Sequence, residues 1–130
     1  MSLPEYDLQY LTERTIPHEL VTDAGMVCVV LPDWKLPAGL SVTDTTVLLR
    51  LPGGYPDVAP DMWWCWPAVK RADGGVIRGT ELTETHLGRS WQRWSRHFAA
   101  GQWKSGIDGL ESYLALMTAE FVLAAQGHAA

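Results

Sequence analysis

Apolar and polar positions along this chain follow two rhythms. Thr43 to Leu51 alternates: Val47 and Leu49 share one face, Leu48 shares the other with Arg50, and the flanks are polar. A period of two is that of a strand. Met26 to Leu31, rich in valine, reads as a second strand ending at Pro32-Asp33. His18 to Val21 predicts a brief strand before it, turned by Asp23-Ala24-Gly25, and Met62 to Trp66 predicts a fourth after Leu51, stopped by Pro67. Beyond Asp108 the rhythm changes. Leu110, Tyr113, Leu114, Met117, Phe121 and Ala124 recur at steps of three and four, the stripe of a helix lying on a sheet. Asp108 and Glu111 stand at capping-box spacing, and Gly127 supplies a stop. A shorter helix is expected over residues 7–14, ended by Pro17.

Two stretches break the pattern. Leu51-Pro52-Gly53-Gly54-Tyr55-Pro56-Asp57-Val58-Ala59-Pro60 joins the third and fourth strands with glycines and prolines, which predicts a stiff corner. Residues 67–88, with Asp73-Gly74-Gly75, Gly79 and Gly88, read as one long irregular segment. Irregular segments of that length tend to carry function. His86 to Phe98 is read as containing a helical turn or two. Short connections between successive strands imply an antiparallel meander. The expected architecture is therefore α+β: a four-stranded antiparallel meander with N-terminal and C-terminal helices, in one domain over residues 1–130.

Composition narrows the function. A chain of 130 residues with 47% apolar content can build a core without disulfide or metal. The formal charge is -5, which argues against nucleic acid as a partner. The charge is segregated: residues 70–104 hold seven basic and three acidic residues, a net of +4, between two acidic segments. No apolar run reaches the roughly 20 residues that span a bilayer, and residues 1–15 lack a signal-peptide pattern. The expectation is a cytoplasmic protein that uses neither membrane nor nucleic acid.

Candidate chemistry is sparse. The two cysteines, Cys28 and Cys65, have no close cysteine or histidine companion, so no metal site is expected. The sequence contains no phosphate-binding loop, dinucleotide fingerprint, zinc-protease pair or serine elbow. Cys65 stands between Trp64 and Trp66, and an exposed thiol there would become reactive if His97 or Arg96 folded nearby. His97 is the first candidate for a catalytic or orienting histidine and His86 the second; His18 and His128 read as incidental. The tract from Gly88 to Phe98 combines Arg89, Arg93 and Arg96 with Trp91 and Trp94. On a helix the arginines would share one face and the tryptophans another, a basic and aromatic grip for an acidic partner. The alternative is core tryptophans whose charged neighbours face water. Asp57 and Asp61 bracket the Tyr-Pro turn, where acceptors for backbone amides are ordinarily needed.

The order of these features resembles the ubiquitin-conjugating (E2) family. Tyr55-Pro56-Asp57-Val58-Ala59-Pro60 stands where that family has its Tyr-Pro turn. Joined to Pro60-Asp61-Met62-Trp63-Trp64 and to Trp91-Gln92-Arg93-Trp94-Ser95-Arg96-His97, it is similar to a bacterial E2-like branch, prokaryotic family E, over about residues 8–125. The resemblance implies a UBC-like fold, with Tyr55, Pro56, Pro60 and Asp61 as its structural motif. It implies transthiolation without a cofactor: a cysteine carries a ubiquitin-like protein as a thioester and passes it to an amine. Its partners would be a ubiquitin-like protein and an E1-like, ThiF-type adenylating protein, with a JAB-type isopeptidase as a genetic neighbour. The sequence departs from the pattern at the site itself. Arg78 in Gly75-Val76-Ile77-Arg78 occupies the place of the family cysteine, and the His-Pro-Asn triplet is missing. Three readings follow. Cys65 serves as the nucleophile with His97 or His86, making the chain a transferase; or the chain is a non-catalytic variant that binds a ubiquitin-like or E1-like partner; or it shares the fold and nothing else.

Overall fold

The computed structural model describes residues 3–99 and 101–127. The chain runs α1 (Glu5–Glu13), β1 (Glu19–Asp23), β2 (Met26–Lys35), β3 (Asp44–Leu51), β4 (Trp63–Trp66), β5 (Thr83–His86), β6 (Arg89–Trp94) and α2 (Leu110–Ala125). All six strands form one antiparallel sheet in the order β1-β2-β3-β4-β6-β5. The α+β class stands, but the four-stranded meander is overturned. The sheet has two further strands, drawn from the stretch read as irregular and helical.

The physical reason lies in the turn between them. Leu87 (φ 52°) and Gly88 (φ 77°) link His86 to its register partner Arg89 as a two-residue connection with both residues in the left-handed region. That is the turn whose twist matches a β-hairpin. The same device joins β1 to β2, where Ala24 (φ 52°) and Gly25 (φ 76°) lie between the paired Asp23 and Met26. β6 then completes the sheet by inserting between β4 and β5. Trp91 and Trp94, expected on one helical face, consequently point to opposite faces of the sheet. β2 also outruns its expected end. Pro32 and Asp33 form a bulge between the pairs Leu31–Val47 and Trp34–Thr45, and the strand resumes to Lys35.

Both faces of the sheet carry apolar side chains. The face toward the helices holds the main core: Val27, Val29, Leu31, Val47, Leu49, Leu51, Trp63, Cys65 and Trp94 against Leu110, Tyr113, Leu114, Met117, Phe121 and Ala124 of α2, with Leu11 of α1. Trp63 stacks on Trp94 at 5.9 Å, and Phe121 meets the edge of Trp94 at 4.9 Å. The opposite face has a smaller cluster of Cys28, Leu48, Trp64 and Trp91.

Long-range polar contacts fix how the helices meet the sheet. Asp7 of α1 is buried, accepts the Tyr55 hydroxyl at 2.5 Å, and accepts the Leu110 amide at 2.9 Å. It thus caps α2 from another element and ties the Tyr-Pro corner to both helices. The expected local cap differs: Asp108 accepts the Lys104 amide instead, Gly109 occupies the N-cap, and Ser112 reaches back to the Gly109 amide at 3.0 Å. At the other end Arg71 donates to the Ala124 carbonyl at 2.8 Å, a cation at the negative pole of the helix. Residues 67–82 are held by the buried Gln92. Its amide accepts from the Val69 backbone N–H at 2.7 Å and donates to the Val69 and Thr80 carbonyls at 2.9 and 3.2 Å.

Candidate functional site

Past the end of β6, bonds from residues 95–97 draw three segments together. Met62 donates its amide to the Arg96 carbonyl at 3.0 Å, which sets Asp61 beside His97. Tyr113 of α2 donates its hydroxyl to the Met62 carbonyl at 2.6 Å. The Ser95 amide donates to the Gly79 carbonyl at 2.9 Å. Arg96 is the hub. Only 4% exposed, it donates through Nε to Glu120 of α2 at 2.6 Å and through Nη1 to the Arg78 carbonyl at 2.8 Å and the Ser95 carbonyl at 3.0 Å. Burial lowers the guanidinium pKa, Glu120 opposes that, and the neighbouring Arg78 charge adds to the lowering.

The result is a cleft of about 200 Å³ lined by Arg78, Ser95, Arg96, His97, Leu116 and Glu120. His97 bonds Asp61 through Nδ1 and faces the Ser95 hydroxyl through Nε2 at 3.5 Å. A carboxylate only accepts, so Nδ1 carries the proton, and Nε2 is free to accept from Ser95. The position expected for the family cysteine, Arg78, is on the wall of this cleft. The sequence singled out His97, Asp61, Arg96 and Arg78 for different reasons, and the fold assembles them.

Cys65 is elsewhere. Its side chain is 1% exposed in the main core, and burial pushes its thiol far above the ordinary cysteine range, opposed only in part by Thr45. Cys65 lies level with Gln92, and His97 is five residues further along, past the end of β6. His86 lies across the sheet from the thiol. It meets the edge of Trp64, whose side chain is in the opposite cluster, at 5.1 Å. There Arg50 donates to His86 Nδ1 at 2.6 Å, so His86 Nε2 donates to Glu84 at 3.2 Å. Cys28 is fully buried, and burial raises its pKa as well, against the lowering influence of Arg50.

The basic tract divides between the two faces. Arg96 and Trp94 belong to the helix side and are buried. Trp91 is buried in the opposite cluster and donates its indole N–H to the His86 carbonyl at 2.8 Å. Arg93 pairs with Glu84 at 2.9 Å. Burial raises the Glu84 pKa, but hydrogen bonds from Trp64, His86 and Arg93 outweigh it and hold the carboxyl below the usual range. Arg89 differs from the others. It has no carboxylate within ion-pair distance among the described residues, and its guanidinium stacks 4.1 Å over Trp66, itself 44% exposed. His18 bonds the Ile16 carbonyl through Nδ1, and His128 lies outside the described residues.

Pro56 accepts the Trp103 indole N–H at 2.8 Å, which with the Tyr55–Asp7 bond clamps the corner after β3. Ser95, Glu120, Asp7, Gln92 and Trp66 escaped the sequence reading. For Ser95 the missing signal was the strand period: read as extended chain, Ser95 and His97 fall on one side. The others depend on partners distant in sequence.

Among the described residues no group of acidic, histidine or cysteine side chains could hold a metal ion, and no helix is long and apolar enough to cross a membrane.

The fold is a two-helix, single-sheet α+β domain with a clamped Tyr-Pro corner and a polar cleft beside the Gly-Val-Ile-Arg segment. The family model described as prokaryotic E2 family E matches residues 3–124, and the chain belongs to that family. No curated protein and no solved structure matches it.

Proposed function

We propose that this E2-family protein acts as a docking component of a ubiquitin-like modification system, binding a ubiquitin-like protein or an E1-like adenylating partner without forming a thioester on its own cysteine. The observation that carries this reading is the burial of both thiols: Cys28 is 0% and Cys65 1% exposed. Transthiolation requires a thiolate that reaches a bulky thioester, and burial opposes both the charge and the approach. Arg78 at the family's cysteine position points the same way.

The grip on a partner would centre on Arg89 and Trp66. An exposed tryptophan under an arginine that has no carboxylate partner among the described residues is an anchor of the kind found at interface centres. The positive segment 70–104 would favour an acidic partner surface.

The test combines the protein with a ubiquitin-like protein, an E1-like adenylating protein and ATP. No reductant-sensitive adduct is expected, and titration should detect binding that Arg89→Glu weakens about tenfold at low salt. An adduct that disappears with reductant and in Cys65→Ala would restore the other reading, in which Cys65 carries the modifier as a thioester.

A further inference from the structure

The cleft at the end of β6 contains an arrangement that the docking reading does not use. We propose that Ser95, His97 and Asp61 form a nucleophile–base–carboxylate array that accepts a short acyl group from an activated ester or thioester. Three observations carry it.

The first is order and orientation. Asp61 engages Nδ1 of His97 and Ser95 faces Nε2 at 3.5 Å, so one imidazole links an acceptor-only carboxylate to a hydroxyl. This is the relation by which a histidine takes the proton of a serine while a carboxylate holds its tautomer. The long Ser–His contact is of the kind that tightens when substrate binds.

The second is preorganisation. Ser95 is pinned by its amide on Gly79 and its carbonyl on Arg96. Asp61 is pinned through Met62, which bonds Arg96 on one side and Tyr113 on the other. The exposed catalytic ends therefore stand on a buried frame, with Arg96 and Glu120 as its positioning residues.

The third is room and charge. Gly79 (φ 73°) packs so closely that a Cβ there would come within 3.3 Å of the Ser95 Cβ and 3.0 Å of Arg96 Nη1. Glycine thus lets the backbone approach the serine without filling the space around it. The cleft of about 200 Å³ accommodates a short acyl group, with Leu116 as an apolar wall. Arg78 on the cleft wall sets positive charge beside Ser95, where an oxyanion would form, while the Arg96 charge is paired with Glu120. Arg96 Nη2 is buried without a hydrogen-bond partner among the described residues.

The chemistry balances. Ser95 Oγ attacks the carbonyl carbon as its proton passes to His97 Nε2, forming the C–O bond. The tetrahedral intermediate collapses, the bond to the leaving oxygen or sulfur breaks, and that atom takes the proton from Nε2 to depart as alcohol or thiol. Ser95 is left as an oxyester. Water then attacks by the same route, releasing the carboxylic acid and regenerating the serine.

The test uses the whole chain with a fluorophosphonate probe and with 4-nitrophenyl acetate. Neither reagent involves a docking partner, so failure here leaves the docking reading intact. Mass spectrometry should locate the phosphonyl adduct on Ser95 of the folded protein. Ser95→Ala should abolish it, while His97→Asn and Asp61→Asn, at exposed positions, should slow both labelling and ester cleavage about a hundredfold. Unchanged melting temperatures would separate chemistry from folding. Absence of label on Ser95, or a label that forms at the wild-type rate in His97→Asn, overturns the proposal.

Discussion

Single residues hold more of this molecule than their neighbours in sequence suggest. Asp7 joins α1, the Tyr-Pro corner and the N-terminus of α2 through two hydrogen bonds. Replacing it with alanine leaves a hydroxyl and an amide without acceptors, each at about 1–3 kcal/mol. Asp7→Ala should therefore destabilise the fold by about 3 kcal/mol in urea denaturation, and Asp7→Asn, which keeps an acceptor, by clearly less. Glu84 supplies a pH prediction. Its pKa is depressed in the folded state, so its contribution is present above the unfolded pKa, about 4.3. That contribution is lost as pH falls below that value and through the folded pKa. The melting-temperature gap between wild type and Glu84→Gln should be widest near neutrality and should shrink as pH is lowered from about 5 toward 3. A constant gap would show that ionisation of Glu84 is not what its partners stabilise.

Elements show where local chemistry suffices and where it misleads. The β1–β2 turn was legible because Asp23-Ala24-Gly25 carries a turn signal, yet Ala24 adopts a left-handed conformation that asparagine tolerates better. Ala24→Asn, at an exposed site, should raise stability by about 0.5 kcal/mol, measured as a higher denaturation midpoint. The β5–β6 turn was hidden. Its left-handed pair is Leu87-Gly88, and leucine gives no hairpin signal. The spacing of three between Trp91 and Trp94 imitates a helix. As a strand it sends one ring into each apolar layer, and both layers bury it. A helical period and a strand between two apolar layers cannot be told apart over so few residues. For α2 the sustained stripe was unambiguous, but its cap was not, because the oxygen that reaches Leu110 comes from Asp7.

At the scale of the whole molecule, burial decides what chemistry is open. Cys65 was the candidate to replace the family cysteine missing at Arg78, but the fold buries it in the core against α2. Folded protein should react with a thiol reagent at pH 8 far more slowly than unfolded protein at both cysteines, with rates that rise on adding denaturant. Rapid labelling of native Cys65 would contradict the docking reading at its root. The polar cleft at the end of β6 has the opposite character: a buried frame with exposed ends. Its assembly from Asp61, Arg78, Ser95 and His97 needs β4, the segment before Thr83 and β6 at once.

The sequence by itself placed four strands between His18 and Trp66, without the extension of β2 to Lys35, together with the long C-terminal helix, the stiff corner at Tyr55-Pro56 and the departure at Arg78. Each of these is written in residues close together, where period, turn chemistry and proline geometry act. The tertiary structure alone decided that β6 inserts beside β4, that the two cysteines are closed off, and that a serine faces His97. Those outcomes depend on which side chains meet across the sheet, and pairing between distant segments is set by burial of the whole core, which no local window contains.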